Sequence, residues 1–253
     1  MPQPPTLLML HGSADSPACW RGVVAAIGDR LRCEAPPLPS GDGTGPDRPA
    51  LESDLRWLDA QMERTGARRL AAHSYGALLA LHWALANPGR LDALLLAEPI
   101  AWGVARGDPG VDHVLQRLDH ECLDAFRAGH AEAAMAMLVD YWNGDGFWAR
   151  LPEKVRAGLL AGADRTAGEV ASGRTDRTDA VALAALTPAP TMVMGALTTP
   201  ESRTVTRNLA ALAPGARLLV CEGAGHQMLR SHAADVAAAL LDADSAGNPG
   251  SER

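Results

Sequence analysis

Apolar positions along the chain follow two rhythms. Short, mostly apolar runs occur at Thr6–Leu10, Arg69–Ala72, Leu91–Ala97, Pro190–Met194 and Arg217–Cys221, with a weaker strand signal at Leu31–Ala35. Runs of this length bounded by turn residues read as strands, and an unbroken apolar run asks for burial on both faces. Between them the spacing becomes helical. Pro17–Arg30 begins with Ser16 as N-cap and Pro17 at the first helical position. Ala50–Thr65 carries Leu51, Leu55 and Leu58 on one face and stops at Gly66. Further helices are expected over Ala77–Ala86, Glu201–Leu212 and Met228–Leu241. Strands alternating with helices predict an α/β fold with a mostly parallel, doubly wound sheet. From Ile100 to Leu186 the strand signal stops, and helical patterns run over Val111–Ala128, His130–Trp142 and Pro152–Ala163. The expected organisation is a core of residues 1–99 and 187–242, an inserted all-helical cap at 100–186, and a polar, disordered tail at 243–253.

The stretch from Arg68 to Leu81 leaves no room for a loop between its strand and its helix. A strand that becomes a helix across one residue turns sharply and holds the residue at its tip, Ser74, out from the sheet in strained geometry. The flanking positions must be small, and Ala72 and Gly76 are. In a parallel sheet ligands gather at the carboxyl ends of the strands. His11, Ser74, Glu98 and His226 all follow strand ends, so one edge collects them. A serine hydroxyl needs a base to become a nucleophile, and His226, in the open turn Gly223-Ala-Gly-His, is the candidate. An oxyanion formed on attack needs donors. The backbone N–H groups of Tyr75 and Ser13 stand where they could supply them. The Gly- and Pro-rich segment Pro36–Pro49 passes over the same edge, within reach of a substrate.

With His11-Gly12 early, the Ala72-His-Ser-Tyr-Gly76 elbow in the middle and Gly225-His226 late, the chain resembles the α/β-hydrolase superfamily over Thr6–Leu241, especially its small bacterial members with a helical cap. The resemblance implies an α/β-hydrolase fold, Ser74 and His226 as catalytic residues, and a cap that shapes an acyl pocket, with Trp142, Trp148 and Tyr141 as candidate substrate-binding residues. It also exposes a departure. The family's acid usually follows the penultimate strand, where this chain has Thr198 and Thr199. Glu98, at the end of the fourth strand, is the preferred replacement, and Glu201 is the other. The expected activity is hydrolysis of a small or medium carboxylic ester or thioester through an acyl-enzyme on Ser74. Two alternatives stay open: a lyase or cyclase using Ser and His for proton transfer, and a ligand-binding member without turnover.

Composition narrows the partners. With 23 basic against 30 acidic residues, a net charge of −7 argues against a nucleic acid or an anionic membrane as partner. No apolar run is long enough to span a bilayer, and the first residues lack a signal-peptide pattern. Cys19, Cys33, Cys122 and Cys221 are scattered, as in reduced cytoplasmic proteins. His113, His120, Cys122 and His130 form no metal-binding spacing, so no metal is expected, and no nucleotide fingerprint implies an organic cofactor. The expected partner is a small-molecule acyl substrate.

Overall fold

The computed structural model describes residues 3–39 and 43–247, with side chains through residue 243. The first half alternates β1 (Thr6–Leu10), α1 (Arg21–Ile27), β2 (Arg32–Glu34), α2 (Leu51–Thr65), β3 (Arg69–His73), α3 (Tyr75–Ala86) and β4 (Ala93–Ala97). A helical stretch follows: α4 (Pro109–Arg117), α5 (Asp124–Arg127), α6 (Ala131–Asn143), α7 (Phe147–Arg150), α8 (Glu153–Ala161), α9 (Ala163–Thr175) and α10 (Ala180–Ala184). The alternation then resumes with β5 (Thr191–Gly195), α11 (Pro200–Leu212), β6 (Arg217–Cys221), α12 (Met228–Ser231) and α13 (Ala233–Gly247).

All six strands are parallel, in the order β2-β1-β3-β4-β5-β6. Successive side chains point to opposite faces of the sheet, and the two faces build separate cores. Leu8, Leu10, Leu70, Leu94 and Leu96 pack under α2, α3 and α11. Leu7, Met9, Ala71, Leu95 and Val193 pack with Trp20, Val23 and Ile27 around α1, and with Val236 and Leu240 of α13. Helix α3 is apolar on every side and buried along nearly its whole length, as a helix at the centre of a core must be. The register pairs His73 with Ala97 and Ala97 with Val193, so the carboxyl ends of β3 and β4 finish level. Ser74 and Glu98, each the next residue, therefore emerge side by side. The ladder extends through them: Ser74 N–H donates to Ala97 O at 2.9 Å, and Glu98 N–H donates to Val193 O at 3.0 Å.

The helical stretch differs in detail from its sequence pattern. The segment expected as one helix over Val111–Ala128 starts at Pro109, capped by the Asp108 carboxylate on the Gly110 and Val111 amides, and passes through a π-helical turn at Leu118–Leu123. Helices α9 and α10 carry no clear apolar stripe and were not expected. The stretch expected as a disordered tail begins inside a helix, since α13 runs to Gly247; residues 248–253 lie outside the described residues. Among the described residues no helix is long and apolar enough to cross a membrane.

Candidate active site

Ser74 stands alone between β3 and α3 with φ +55° and ψ −118°, a conformation that L-residues avoid. Two glycines make the turn possible. A Cβ on Gly76 would lie 2.4 Å from His11 O, and one on Gly12 would lie 2.8 Å from the Cβ of Ser74. The loop after β1 is thereby pressed directly against Ser74. His11 pins that loop: its Nδ1–H donates to Gly12 O at 2.8 Å, and its Nε2 accepts from Leu38 N–H at 3.2 Å. Tyr75 is the first residue of α3, so its amide has no acceptor within the helix and faces the positive end of the helix dipole.

His226 is buried in the loop after β6 and gripped on every side. Its Nδ1–H donates to Glu98 Oε2 at 2.5 Å. Its carbonyl accepts from His73 Nε2–H at 2.9 Å. The Trp142 indole stacks on the imidazole, with centroids 3.7 Å apart and planes 16° apart. With the proton on Nδ1, the lone pair of Nε2 is free to accept another. Glu98 is fully buried and fully engaged: Oε1 accepts from Gly195 N–H at 2.8 Å, and Oε2 accepts from Thr198 Oγ1 at 2.7 Å and Ser202 Oγ at 3.1 Å. Burial pushes its carboxyl up, but the hydrogen bond and charge of His226, with Thr198 and the Gly195 amide, outweigh burial and hold it below the usual value.

Ser74, His226, Ser13, Tyr141 and Trp142 line one cavity of about 330 Å³. No hydrogen bond joins Ser74 to His226 among the described contacts, as is frequent in unliganded sites. The rest of the wall is mostly apolar, with Trp102, Leu138, Phe147, Leu151 and Leu159 among its residues, and Asp15 and Arg230 also line it as an ion pair. Among the described residues, the non-glycine positions with positive φ are Ala14, Ser74 and Glu98. Ala14 and Ser74 line the cavity, and Glu98 holds His226. Backbone strain of about 1 to 3 kcal/mol per residue is thus concentrated where the chemistry-bearing groups meet.

The chain as a whole is similar to known proteins. Residues 7–239 fit the alpha/beta hydrolase family. The chain belongs to that family. A pimeloyl-[acyl-carrier protein] methyl ester esterase from Aeromonas hydrophila is 33% identical over 112 residues, 43% of this chain and 44% of that protein. A cis-3-alkyl-4-alkyloxetan-2-one decarboxylase from Xanthomonas campestris is 27% identical over 124 residues, 40% of this chain and 41% of that protein. The matches thus span less than half the length of these relatives. MenH from S. aureus superposes with a TM-score of 0.73 at 16% identity, covering 98% of this chain and 96% of that one, which establishes the fold alone.

In this member of the alpha/beta hydrolase family, the carboxylate against His226 is that of Glu98. Thr198, where the family's acid was expected, donates its hydroxyl to Glu98 on the neighbouring strand. Glu201 starts α11, and its carboxylate lies 3.4 Å from the Tyr141 hydroxyl rather than against His226. Trp148 corrects an expectation. It is buried but does not line the cavity, whereas Phe147 does. Neighbouring helical side chains point about 100° apart, so the single turn of α7 sends one ring to the cavity and the other into the protein. The Pro36–Pro49 loop likewise contributes no lining residue among those described. Trp102 and His73 were not singled out as site residues, because neither stands in a spacing that marks chemistry.

Proposed function

We propose that this hydrolase-family protein cleaves a small or medium carboxylic ester or thioester through an acyl-enzyme on Ser74. The observation that carries the reading is the Glu98–His226 hydrogen bond, which fixes the imidazole tautomer beside a serine held in a strained elbow. In the first half-reaction Ser74 Oγ attacks the carbonyl carbon while His226 Nε2 takes its proton. The carbonyl electrons move to oxygen, and the Tyr75 and Ser13 amides stabilise that oxyanion. Glu98 stabilises the imidazolium and holds its orientation. His226 then protonates the departing alkoxide or thiolate. Water, deprotonated by the same imidazole, attacks the acyl-enzyme and releases the acid. The apolar wall suits an acyl group of on the order of ten non-hydrogen atoms, at about 30 Å³ for each water-sized unit. The four cysteines are all unpaired, which supports a cytoplasmic setting.

The decarboxylase relative favours a second reading, in which Ser74 and His226 transfer protons without an acyl-enzyme. A fluorophosphonate with intact-mass detection separates the two. The hydrolase reading expects one stable adduct on the wild type and none on Ser74→Ala. Glu98→Gln should lower kcat by about 10²- to 10⁴-fold, as loss of a triad carboxylate does, and Glu201→Gln should leave kcat within threefold. An unlabelled wild type, with access confirmed by a small probe, would overturn the acyl-enzyme.

A further inference from the structure

A second buried polar cluster lies beside the site and has no part in the mechanism above. It joins three helices. Arg165 of α9 forks onto Asp54 of α2, with Nη1 to Oδ1 at 2.9 Å and Nη2 to Oδ2 at 2.5 Å. Its Nε donates to Glu169 Oε1, one turn further along α9, at 2.7 Å. The Tyr75 hydroxyl donates to Asp54 Oδ2 at 2.6 Å, and the guanidinium lies 5.5 Å from the centre of the Tyr75 ring. All four residues are buried, with exposures of 1% for Asp54, 9% for Arg165, 2% for Glu169 and zero for Tyr75.

The cluster is not economical as a source of stability. Two carboxyl groups share one cation, and a buried ion pair is often no more stabilising than apolar side chains of the same volume. Glu169 Oε2 is buried without a hydrogen-bond partner, and the Ser13 side chain is among the groups that pull the pKa of this carboxyl down. Burial, the largest influence, raises the Glu169 pKa against the pull of Arg165 and Ser13. The cluster therefore reaches two residues of the site, Tyr75 through its hydroxyl and Ser13 through its side chain. These are the two whose amides would meet the oxyanion. Tyr75 begins a helix, and Ser13 sits in the loop that His11 pins one residue earlier, at Gly12.

We infer that Asp54, Arg165 and Glu169 are positioning residues that clamp the Ser13 and Tyr75 backbones so that their two amides converge on one oxygen. The inference rests on the acyl-enzyme reading. A displacement of about 1 Å at such a site can cost about 10²-fold in rate, so the clamp acts on kcat and leaves ground-state binding nearly alone.

The test compares Glu169→Leu, Glu169→Gln and Tyr75→Phe with wild type, using a soluble p-nitrophenyl ester and an alkyl trifluoromethyl ketone. The ketone adds Ser74 and carries the same oxyanion, so its inhibition constant reports the donors directly. Glu169→Leu should lower kcat about 10- to 100-fold and weaken the ketone by a similar factor, with KM within threefold. Glu169→Gln should recover most of that loss, because it keeps the shape and an oxygen that accepts from Arg165. Tyr75→Phe should lower kcat and ketone affinity together, by about three- to tenfold. A Glu169→Leu protein with wild-type melting behaviour, kcat and ketone affinity would overturn the clamp. If that variant does not fold, Tyr75→Phe decides, and unchanged kcat and ketone affinity overturn it. Failure of the wild type to react at Ser74 would instead defeat the hydrolase reading itself.

Discussion

At the residue scale, His73 shows how far a side chain next to the chemistry can be driven from its ordinary behaviour. It is the last residue of β3, donates Nε2–H to the His226 carbonyl, and leaves Nδ1 buried without a partner. Burial first, and the like charge of His226 second, push it down to about 3 from an ordinary value of about 6.5. In the unfolded chain His73 takes its proton near pH 6.5, and in the folded chain only near pH 3. The unfolded state binds more protons across that window, so stability falls as pH drops below about 6.5, by about 2 kcal/mol at pH 5. Urea unfolding at pH 7 and pH 5 checks this. The wild type should lose about 2 kcal/mol more than His73→Asn between the two, and equal losses would refute it. Residues of this kind are poorly legible in sequence, because burial and not spacing gives them their character. Ser74, His226 and Glu98 were legible as residues that follow strand ends. Trp148 was not separable from Phe147, because adjacent aromatics on one short turn look alike until the turn is oriented.

At the element scale, β1, β3, β4 and β5 were legible from their apolar runs, because strands covered on both faces leave few polar positions to blur the pattern, whereas the edge strand β2, with Arg32 and Glu34, gave the weakest signal. Helix α9 was invisible for the opposite reason. Its buried positions include Ala, Gly, Ser and Thr as well as Arg165 and Glu169, so its packing rests on small size and ion pairs and not on an apolar stripe. Gly168 lets it approach Thr44, and Gly173 lets it approach Ile100. The elbow between β3 and α3 is held by the same logic of close approach. Gly76→Ala should destabilise by about 1 to 3 kcal/mol, the usual cost of overpacking, and should lower activity because the added methyl meets His11 O and Leu10. Gly158→Ala is the contrast. Gly158 lies inside α8, exposed, with nothing within 4 Å of an added Cβ, so helix propensity alone predicts a gain of about 0.5 to 1 kcal/mol. Thermal and denaturant melts of the two variants should move in opposite directions; movement of Gly158→Ala to lower stability would show that α8 needs its glycine.

At the scale of the whole molecule, the strand ends present Ser74, Glu98 and His226, and the helices between β4 and β5 supply most of the cavity wall. The level ends of β3 and β4 set Ser74 and Glu98 side by side, and the loop after β6 brings His226 to them. Above this edge α6 contributes Leu138, Tyr141 and Trp142, α7 contributes Phe147, and α8 contributes Val155 and Leu159. Helix α8 has no fully buried residue, and its Val155 is 44% exposed. This wall therefore owes little to packing in the core, and its side chains can be changed without unfolding the sheet. The cavity should then set acyl length. For a series of straight-chain p-nitrophenyl esters, kcat/KM should rise about fourfold with each methylene that becomes buried, from about 0.8 kcal/mol per methylene, and fall once the cavity is full. Leu159→Trp adds bulk to the wall and should shift the optimum to shorter chains. Leu159→Ala should shift it to longer ones, while fluorophosphonate labelling of Ser74 continues in both. An unmoved optimum in both variants would mean that the acyl chain leaves by another route, along the Asp15–Arg230 side of the cavity and away from α8.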